Sequence, residues 1–298
     1  MPIRDSSFTE VVYADDLNAY AEVDKDTSNT EALEQARTCQ TLLHTWGRAN
    51  QVSFDASKES FHVLSQHEPE GEDFKLLGVL FDCQLRMEGA VKELAQEAGW
   101  KLRTLLKTAR FHYDTKLVDL YKSRILGYLE YRTAALYHAT DTVLAPLDAV
   151  QGRFLKALGC REDEALLAFN LAPLSARRDM AMLGVIHRTV LGKGPAHFKQ
   201  FFKPATEKQY ILTRRTARLH CKQLEDPRKG NFPELLRRSA LGLIAVYNRL
   251  PANVVAKETV KDFQSQLQEL LKRRATEGCE DWASTFSPRV PLWRHPLR

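Results

Sequence analysis

The sequence contains no apolar run near the roughly 18 residues that a membrane-spanning helix needs. Its first ten residues lack the apolar core of a secretory signal. Cysteine is scarce: there are 5, widely spaced, and no C-x-x-C or Cys/His pair has the spacing of a zinc site. These absences favour an intracellular protein, cytoplasmic or nuclear, with reduced thiols and no membrane partner. They leave its oligomeric state open.

Charge is distributed unevenly along the 298 residues, although the net charge is only +5. Residues 1–100 contain 8 Lys/Arg and 19 Asp/Glu, whereas residues 101–298 contain 35 and 19, so the two parts carry −11 and +16. A basic majority of the chain favours a polyanionic partner such as nucleic acid. Solvated helix faces rich in Lys and Arg would give the same imbalance, and composition leaves both explanations open.

Hydrophobic periodicity predicts a small α+β segment at the start of the chain. Its predicted strands, which together would form an antiparallel sheet, are residues 8–13, 17–23, 61–64 and 74–82. A helix is predicted from Thr30 to near Gly47, between the second and third strands. The run 74–82 is continuously apolar, which is typical of a buried strand, and Gly78 within it indicates a close backbone approach.

After Asp82 the pattern changes to the spacing of amphipathic helices. The predicted helices are residues 91–109, 115–138, 142–158, 175–191, 233–249 and 258–274. Ser175 is predicted as an N-cap, and Gly192 follows the end of the same helix. The stretch 203–231 is irregular, polar and basic. The predicted divisions of the chain are an α+β domain, a helical domain and a C-terminal helical region, at residues 1–82, 83–160 and 161–298.

Two adjacent carboxylates, Asp15 and Asp16, stand between the first two predicted strands, at the turn of a β-hairpin. Mg²⁺ takes such hard oxygen ligands, and two metal ions can stabilise the attacking and leaving oxygens of a phosphoryl transfer. Asp is also a common residue of ordinary solvated turns. A Walker B strand is a third explanation, but it requires a G-x-x-x-x-G-K-[ST] loop, which the sequence lacks.

The segment "VVYADDLNAYAEV" (11–23) resembles the catalytic [YF]-x-D-D hairpin of reverse transcriptases. Later segments are similar, in the same order and over about 260 residues, to the palm, thumb and tail of the non-LTR retrotransposon enzymes. These segments are "LLHTWGRANQVSFDASKESFHVLS" (42–65), "FKLLGVLFDCQLRM" (74–87), "LVDLYKSRILGYLEYRTAALYHA" (117–139), "LDAVQGRFLKALGC" (147–160), "LAPLSARRDMAMLGVIHRTVLG" (171–192) and "VYNRLPANVVAKETVKDFQSQLQELL" (246–271).

The resemblance implies a polymerase palm in which Asp15 and Asp16 are catalytic and bind Mg²⁺. Asp15 would be the direct metal ligand and Asp16 the accessory acid. Tyr13 and Ala14 would lie next to the primer end and shape the nucleotide site. Lys58 would lie near the incoming triphosphate, as a general acid or a charge stabiliser, and a solvated turn lysine is the alternative.

The resemblance also implies a truncated palm sheet with one helix, followed by a mostly α-helical thumb that contacts template–primer phosphates. The cations expected to make these contacts are Lys101, Arg103, Lys107, Arg110, Lys122 and Arg124, with a second cluster at Arg214, Arg215 and Arg218. A solvated helix face is the alternative for each of them. Gly78, within 74–87, would help to hold the primer strand. The nearby aromatic residues, expected in the core or else stacked on bases, are Trp100, Phe111, His112 and Tyr113.

The family's palm needs a further metal-binding Asp on an upstream strand. Only 14 residues precede Asp15, and neither Asp5 nor Glu10 among them is in a suitable pattern. We therefore expect a fragment of an RNA-directed DNA polymerase, inactive alone, whose intact form would use an RNA template, a DNA primer and dNTPs. Residues near Leu17 and Val79 would expose apolar edges. A non-catalytic module that binds RNA or RNA–DNA hybrid, and a non-functional relic, are the alternatives.

Overall fold

The computed structural model describes residues 7–24, 26–205, 220–227 and 234–297. The chain divides into two compact units, residues 1–86 and 87–298. The described strands and one long helix belong to the first unit, and the described part of the second unit is mainly helical, with an isolated bridge between Pro204 and Leu224. The predicted α+β class is therefore confirmed at the level of antiparallel strands and helices, whereas the three predicted domains stay a prediction.

The first unit begins with a β-hairpin, whose strands are β1 (Thr9–Tyr13) and β2 (Asp16–Tyr20). β-branched and aromatic residues predicted the first strand, apolar/polar alternation from Leu17 predicted the second, and the structure confirms both. Both strands are exposed along most of their length, with Val11 and Val12 each 46% accessible. The apolar exposure that the sequence predicted near Leu17 is therefore present.

The helix α1 (Asn29–Ala49) begins at a capping box. The Ser28 hydroxyl accepts a hydrogen bond from the Glu31 amide, and the Glu31 carboxylate accepts one from the Ser28 amide. Near its end the helix packs closely on the following loop, because a Cβ at Gly47 would lie 2.7 Å from the Phe54 ring. The predicted end of the helix near Gly47 is confirmed.

The apolar run 74–82 is a second hairpin, and the prediction of one buried strand is wrong. Its strands are β3 (Phe74–Leu76) and β4 (Val79–Phe81). Leu77 and Gly78 form the turn with φ angles of +48° and +78°, which is the sign that a type I′ turn requires at both positions. The sequence did not predict this turn, because the run 74–82 is continuously hydrophobic and Leu rarely adopts a positive φ.

The predicted single sheet is also wrong, since the described strands form two separate two-stranded sheets. The predicted strand 61–64 is present only as a bridge between Val63 and Glu70. This segment packs through side chains instead, with the His62 ring stacked on Phe74 at 4.1 Å. Val79 itself is buried, whereas Leu77, two residues earlier in the turn, is 45% accessible, so the apolar exposure predicted near Val79 is present only at the turn.

The described part of the second unit is built mainly of helices. They are α2 (Glu88–Lys107), α3 (Asp114–Tyr121), α4 (Gly127–Tyr131), α5 (Thr133–Leu136), α6 (Asp141–Leu158), α7 (Glu162–Phe169), α8 (Leu174–Val190), α9 (Glu234–Arg237), α10 (Ile244–Tyr247), α11 (Ala252–Val255) and α12 (Val260–Thr276). A π-helical segment, Lys122–Leu126, joins α3 to α4. Four of the predicted helices correspond to α2, α6, α8 and α12 and are confirmed.

The long helices of the second unit pack in pairs, α2 with α6 and α8 with α12. Helix α2 buries Leu94, Ala98 and Leu102 on one stripe, as its 3.6-residue periodicity predicted. The Phe154 ring of α6 stacks on Tyr121 of α3 at 4.1 Å. Because the stripe through Leu94, Ala98 and Leu102 faces the core, the opposite face of α2 is exposed to solvent.

Two predicted helices are interrupted in the structure. Residues 115–138 are divided among α3, the π-helical segment, α4 and α5, with a break at Arg132, where φ is −91° and ψ is 6°. Residues 233–249 form only α9 and α10 among those described. The chain turns so tightly between these two helices that a Cβ at Gly242 would lie 1.8 Å from the Arg237 carbonyl oxygen.

The sequence also missed one helix of the second unit and misplaced the N-cap of another. Helix α7 was missed, although the Glu164 carboxylate accepts a 2.9 Å hydrogen bond from the Arg161 amide at its start. Asn170, with a φ of +56°, ends α7 in the left-handed conformation that Asn tolerates. Helix α8 has Pro173 as its N-cap, and Ser175 lies in its first turn, so the predicted Ser175 cap is wrong.

Candidate functional site

The Tyr-Ala-Asp-Asp sequence forms the tip of the first hairpin. Tyr13 and Asp16 are the last strand pair, so Ala14 and Asp15 are the two turn residues. Ala14 has a φ of +54°, which is uncommon for a residue with a Cβ. Directly opposite residues of an antiparallel pair share one face, and Tyr13 and Asp16 therefore project from the same side of the hairpin.

The two carboxylates of this tip, Asp15 and Asp16, are exposed. In the part of the chain that the structure describes, no group of three or more His, Cys, Asp or Glu side chains could hold a metal ion. Two adjacent carboxylates by themselves do not supply the donor set that two metal ions need. The roles of Asp15 and Asp16 as magnesium ligands therefore stay a prediction.

Lys58 ends a single 3₁₀ turn, Ala56–Lys58, that follows α1. Its Nζ lies 3.6 Å from Oδ2 of Asp55, and both side chains are largely exposed, so this ion pair contributes little stability. Among the described residues, no hydrogen bond or ion pair joins Lys58 to Asp15 or Asp16. Its role near a triphosphate stays a prediction.

Gly78 lies in the turn between β3 and β4 and is exposed. A Cβ at this position would meet no atom within 4 Å, so the close backbone approach predicted from the sequence is absent. Glycine suits this position because its φ is +78°. Its contact with a primer strand, like the contacts of Tyr13 and Ala14, stays a prediction.

The predicted phosphate-binding cations of α2 lie mainly on its solvent face. Trp100, Arg103 and Lys107 recur at i, i+3 and i+7, and all three are exposed. Arg103 and Lys107 form no ion pair with any acidic residue that the structure describes. Lys101 is half-buried instead, and its Nζ lies 4.9 Å from the centre of the Tyr128 ring.

The turn that follows α2 exposes two aromatic rings. Phe111 and Tyr113 are 70% and 88% accessible, and Trp100 is 60% accessible, so the core packing predicted for these three residues is wrong. Trp100 falls outside the stripe of α2 that faces the core, and Phe111 and Tyr113 lie in the connection that follows the helix. The guanidinium carbon of Arg110 lies 4.7 Å from the centre of the Phe111 ring. His112 is half-buried.

We name residues 100–113 the basic–aromatic segment. It contains four Lys or Arg residues and no Asp or Glu. Sequence reasoning found its cations but did not predict the exposure of its rings. A usable signal was present, because Trp100 is out of phase with the apolar residues Ala98 and Leu102, which α2 buries.

The remaining predicted cations differ in their surroundings. Lys122 lies in the π-helical segment, and its amine donates a 2.5 Å hydrogen bond to the Phe169 carbonyl oxygen at the end of α7. Arg124 in the same segment is exposed. The second predicted cluster lies outside the described residues and consists of Arg214, Arg215 and Arg218.

A groove between α2 and α6 begins at Arg103 of the basic–aromatic segment and carries further basic side chains. Lys92 and Arg103 of α2 and Arg153 of α6 line this groove, together with the acidic residue Glu88. The Arg153 side chain reaches across to α2, because a Cβ at Gly99 would lie 3.3 Å from its Nη2. The three cations give this groove a net positive charge.

None of the described helices combines the length and the apolar character needed to cross a membrane. Comparison with known proteins finds no matching family model, no matching curated protein and no matching solved structure.

Proposed function

We propose that the chain is part of a non-LTR retrotransposon reverse transcriptase and that its helical unit binds RNA–DNA hybrid. The observation that best supports this is the solvent face of the basic–aromatic segment. Arg103 and Lys107 are exposed there without a described acidic partner, and Arg110 follows on the next turn. Cations that no protein carboxylate neutralises are available to phosphates.

The charge of this surface suits the backbone of a duplex rather than its bases. Phosphate contacts from Lys and Arg release counterions, which gives affinity without sequence selectivity. The groove between α2 and α6 adds Lys92 and Arg153 beside Arg103. A surface of this kind would hold a template–primer duplex by its backbone, as the thumb of the resembled family does.

Polymerisation by this chain alone is not expected. In the proposed family, Asp15 and Asp16 would act with a further carboxylate around Mg²⁺, and the described residues bring no third acidic ligand to that turn. A further palm segment would have to supply that ligand before a template–primer and dNTPs could react. The proposed function of the chain by itself is therefore binding.

Fluorescence anisotropy with a labelled RNA–DNA hybrid of about 20 base pairs tests this proposal. The variant Arg103→Gln/Lys107→Gln/Arg110→Gln removes three exposed cations. Its log Kd should depend less steeply on log salt concentration than that of the wild type, by about 0.9 for each lost phosphate contact.

The matched control removes three cations from α12, as Lys261→Gln/Lys272→Gln/Arg273→Gln. It lowers the net charge equally, so an effect of overall charge alone would appear in both variants. The proposal predicts that the control keeps the salt dependence of the wild type. Equal losses in the two variants would show that α2 is not the binding face.

A further inference from the structure

We propose that Phe111 and Tyr113 form a stacking platform for unpaired bases, so that the basic–aromatic segment also binds single-stranded nucleic acid. This inference rests on the proposed nucleic-acid binding and names a second kind of ligand for the same surface. The two rings lie two residues apart and are 70% and 88% accessible. A contiguous apolar patch left open to water is typical of an interaction site, and two large exposed rings this close in the sequence can form one.

The backbone holds both rings on one side of the chain. His112 and Tyr113 are both extended, with ψ angles of 145° and 156°, and side chains alternate along extended backbone. Half-buried His112 therefore faces inward, while Phe111 and Tyr113 face solvent. This alternation explains how two rings can be exposed in a short connection between packed helices.

Backbone hydrogen bonds fix the platform at both ends. The Phe111 amide donates to the Thr108 carbonyl at 3.0 Å, and the Leu117 amide donates to the Tyr113 carbonyl at 3.0 Å as α3 begins. The rings are therefore carried by an ordered turn rather than by a long loop. An ordered platform loses less conformational entropy when a ligand stacks on it.

Charge selects the class of ligand. The Arg110 guanidinium lies 4.7 Å from the Phe111 ring centre, and Lys107 stands one turn before it without a described acidic partner. Cations placed next to exposed rings match the alternation of phosphate and base along a single strand. An apolar protein partner would not need these cations, and an acidic one would not need two open rings.

A duplex cannot use the platform in the same way. Bases inside a duplex stack on each other, and only their edges and the phosphates are accessible, whereas an unpaired base presents its face. The cations should therefore serve both ligands, and the rings should serve the single strand.

The test compares the affinity of Phe111→Ala/Tyr113→Ala with that of the wild type for two probes, a single-stranded uridine 15-mer and a blunt RNA–DNA hybrid of about the same length. About 15 nucleotides is enough to fill one single-strand binding site. Affinity for the 15-mer should fall by about tenfold for each ring that stacks on a base. Affinity for the hybrid should change by less than about threefold. Phe111→Tyr/Tyr113→Phe, which keeps both rings, should retain single-strand affinity.

Tyr131→Ala is the matched control, since Tyr131 is a 75% accessible ring in the same unit but outside the basic–aromatic segment. This variant should bind both probes as the wild type does. If Phe111→Ala/Tyr113→Ala binds the 15-mer as tightly as the wild type, the platform is overturned while the proposed hybrid binding stands. Equal losses on both probes would overturn it as well. A wild type that binds neither probe would contradict the proposed function itself.

Discussion

The hydroxyl of Tyr137 donates a 2.6 Å hydrogen bond to Oδ1 of Asp179, and both side chains are buried in the second unit. Burial raises the pKa of Asp179 to about 7, although the Tyr137 hydroxyl and two guanidinium groups, those of Arg289 and Arg178, favour its charged form. The protonated carboxyl is therefore favoured by the fold. This gives the unit a dependence on pH that the sequence did not predict.

Asp179→Asn should remove this dependence. A carboxyl with a raised folded pKa adds stability below its unfolded pKa, near 4, and that stability is lost as the pH rises to about 7. The neutral Asn keeps an oxygen that can accept the Tyr137 hydrogen bond. The free energy of unfolding of the variant relative to the wild type should therefore rise between pH 5 and pH 8, by at most roughly 3 kcal/mol.

Urea unfolding at the two pH values measures this difference. Asp119→Asn, at an exposed position of α3, is the control and should not reproduce the rise expected for Asp179→Asn. A difference between Asp179→Asn and the wild type that does not vary with pH would show that Asp179 is already ionised in the fold.

Gly242→Ala should destabilise the second unit by about 3 kcal/mol or more, because its Cβ would lie 1.8 Å from the Arg237 carbonyl oxygen. Gly152→Ala, at an exposed position of α6, is the opposite case, since its Cβ would meet no atom within 4 Å. It should stabilise the helix by about 0.5–1 kcal/mol. Thermal unfolding of both variants measures the contrast, and a tolerated Gly242→Ala would mean that the turn between α9 and α10 is placed differently.

Lys122→Ala should affect stability and leave nucleic-acid affinity unchanged. It removes the donor to the Phe169 carbonyl oxygen and should lower the free energy of unfolding by about 1–3 kcal/mol. Lys107→Ala should weaken nucleic-acid binding and leave the free energy of unfolding unchanged, because Lys107 is exposed at the end of α2. Hybrid affinity and urea unfolding distinguish the two roles, and weaker binding by stable Lys122→Ala would restore Lys122 to the predicted interface.

The patterns that the sequence predicted well are those that local chemistry determines. β-branched and aromatic residues predicted β1, the alternation of apolar and polar residues from Leu17 predicted β2, and the apolar stripe through Leu94 and Leu102 predicted α2. The hairpin turn at Leu77 was not predictable in this way, because its hydrophobic side chain conceals a positive φ. Breaks such as that at Gly242 depend on contacts made only in the folded chain.

The candidate site was predicted in the same uneven way. The Asp15 turn follows from strand pattern alone, and the cations of α2 follow from charge. The exposure of Phe111 does not, because aromatic residues are buried in most folded proteins and only tertiary packing decides which face of a turn is covered.

Primer extension tests the catalytic part of the account. The chain alone, with Mg²⁺, dNTPs and an RNA template annealed to a DNA primer, should give no product, because the described residues place no third acid beside Asp15 and Asp16. Asp15→Ala should be indistinguishable from the wild type. Extension by the wild type that Asp15→Ala abolishes would show that the metal site is complete.

The central claim is that the solvent face of α2 holds nucleic acid by its phosphates. Its most direct test is the affinity of the chain for RNA–DNA hybrid between about 50 and 200 mM salt, with and without Arg103, Lys107 and Arg110. The account predicts binding that weakens as salt rises, with a shallower dependence in the Arg103→Gln/Lys107→Gln/Arg110→Gln variant. Absence of binding at the lowest salt, or the same dependence in both proteins, would contradict it.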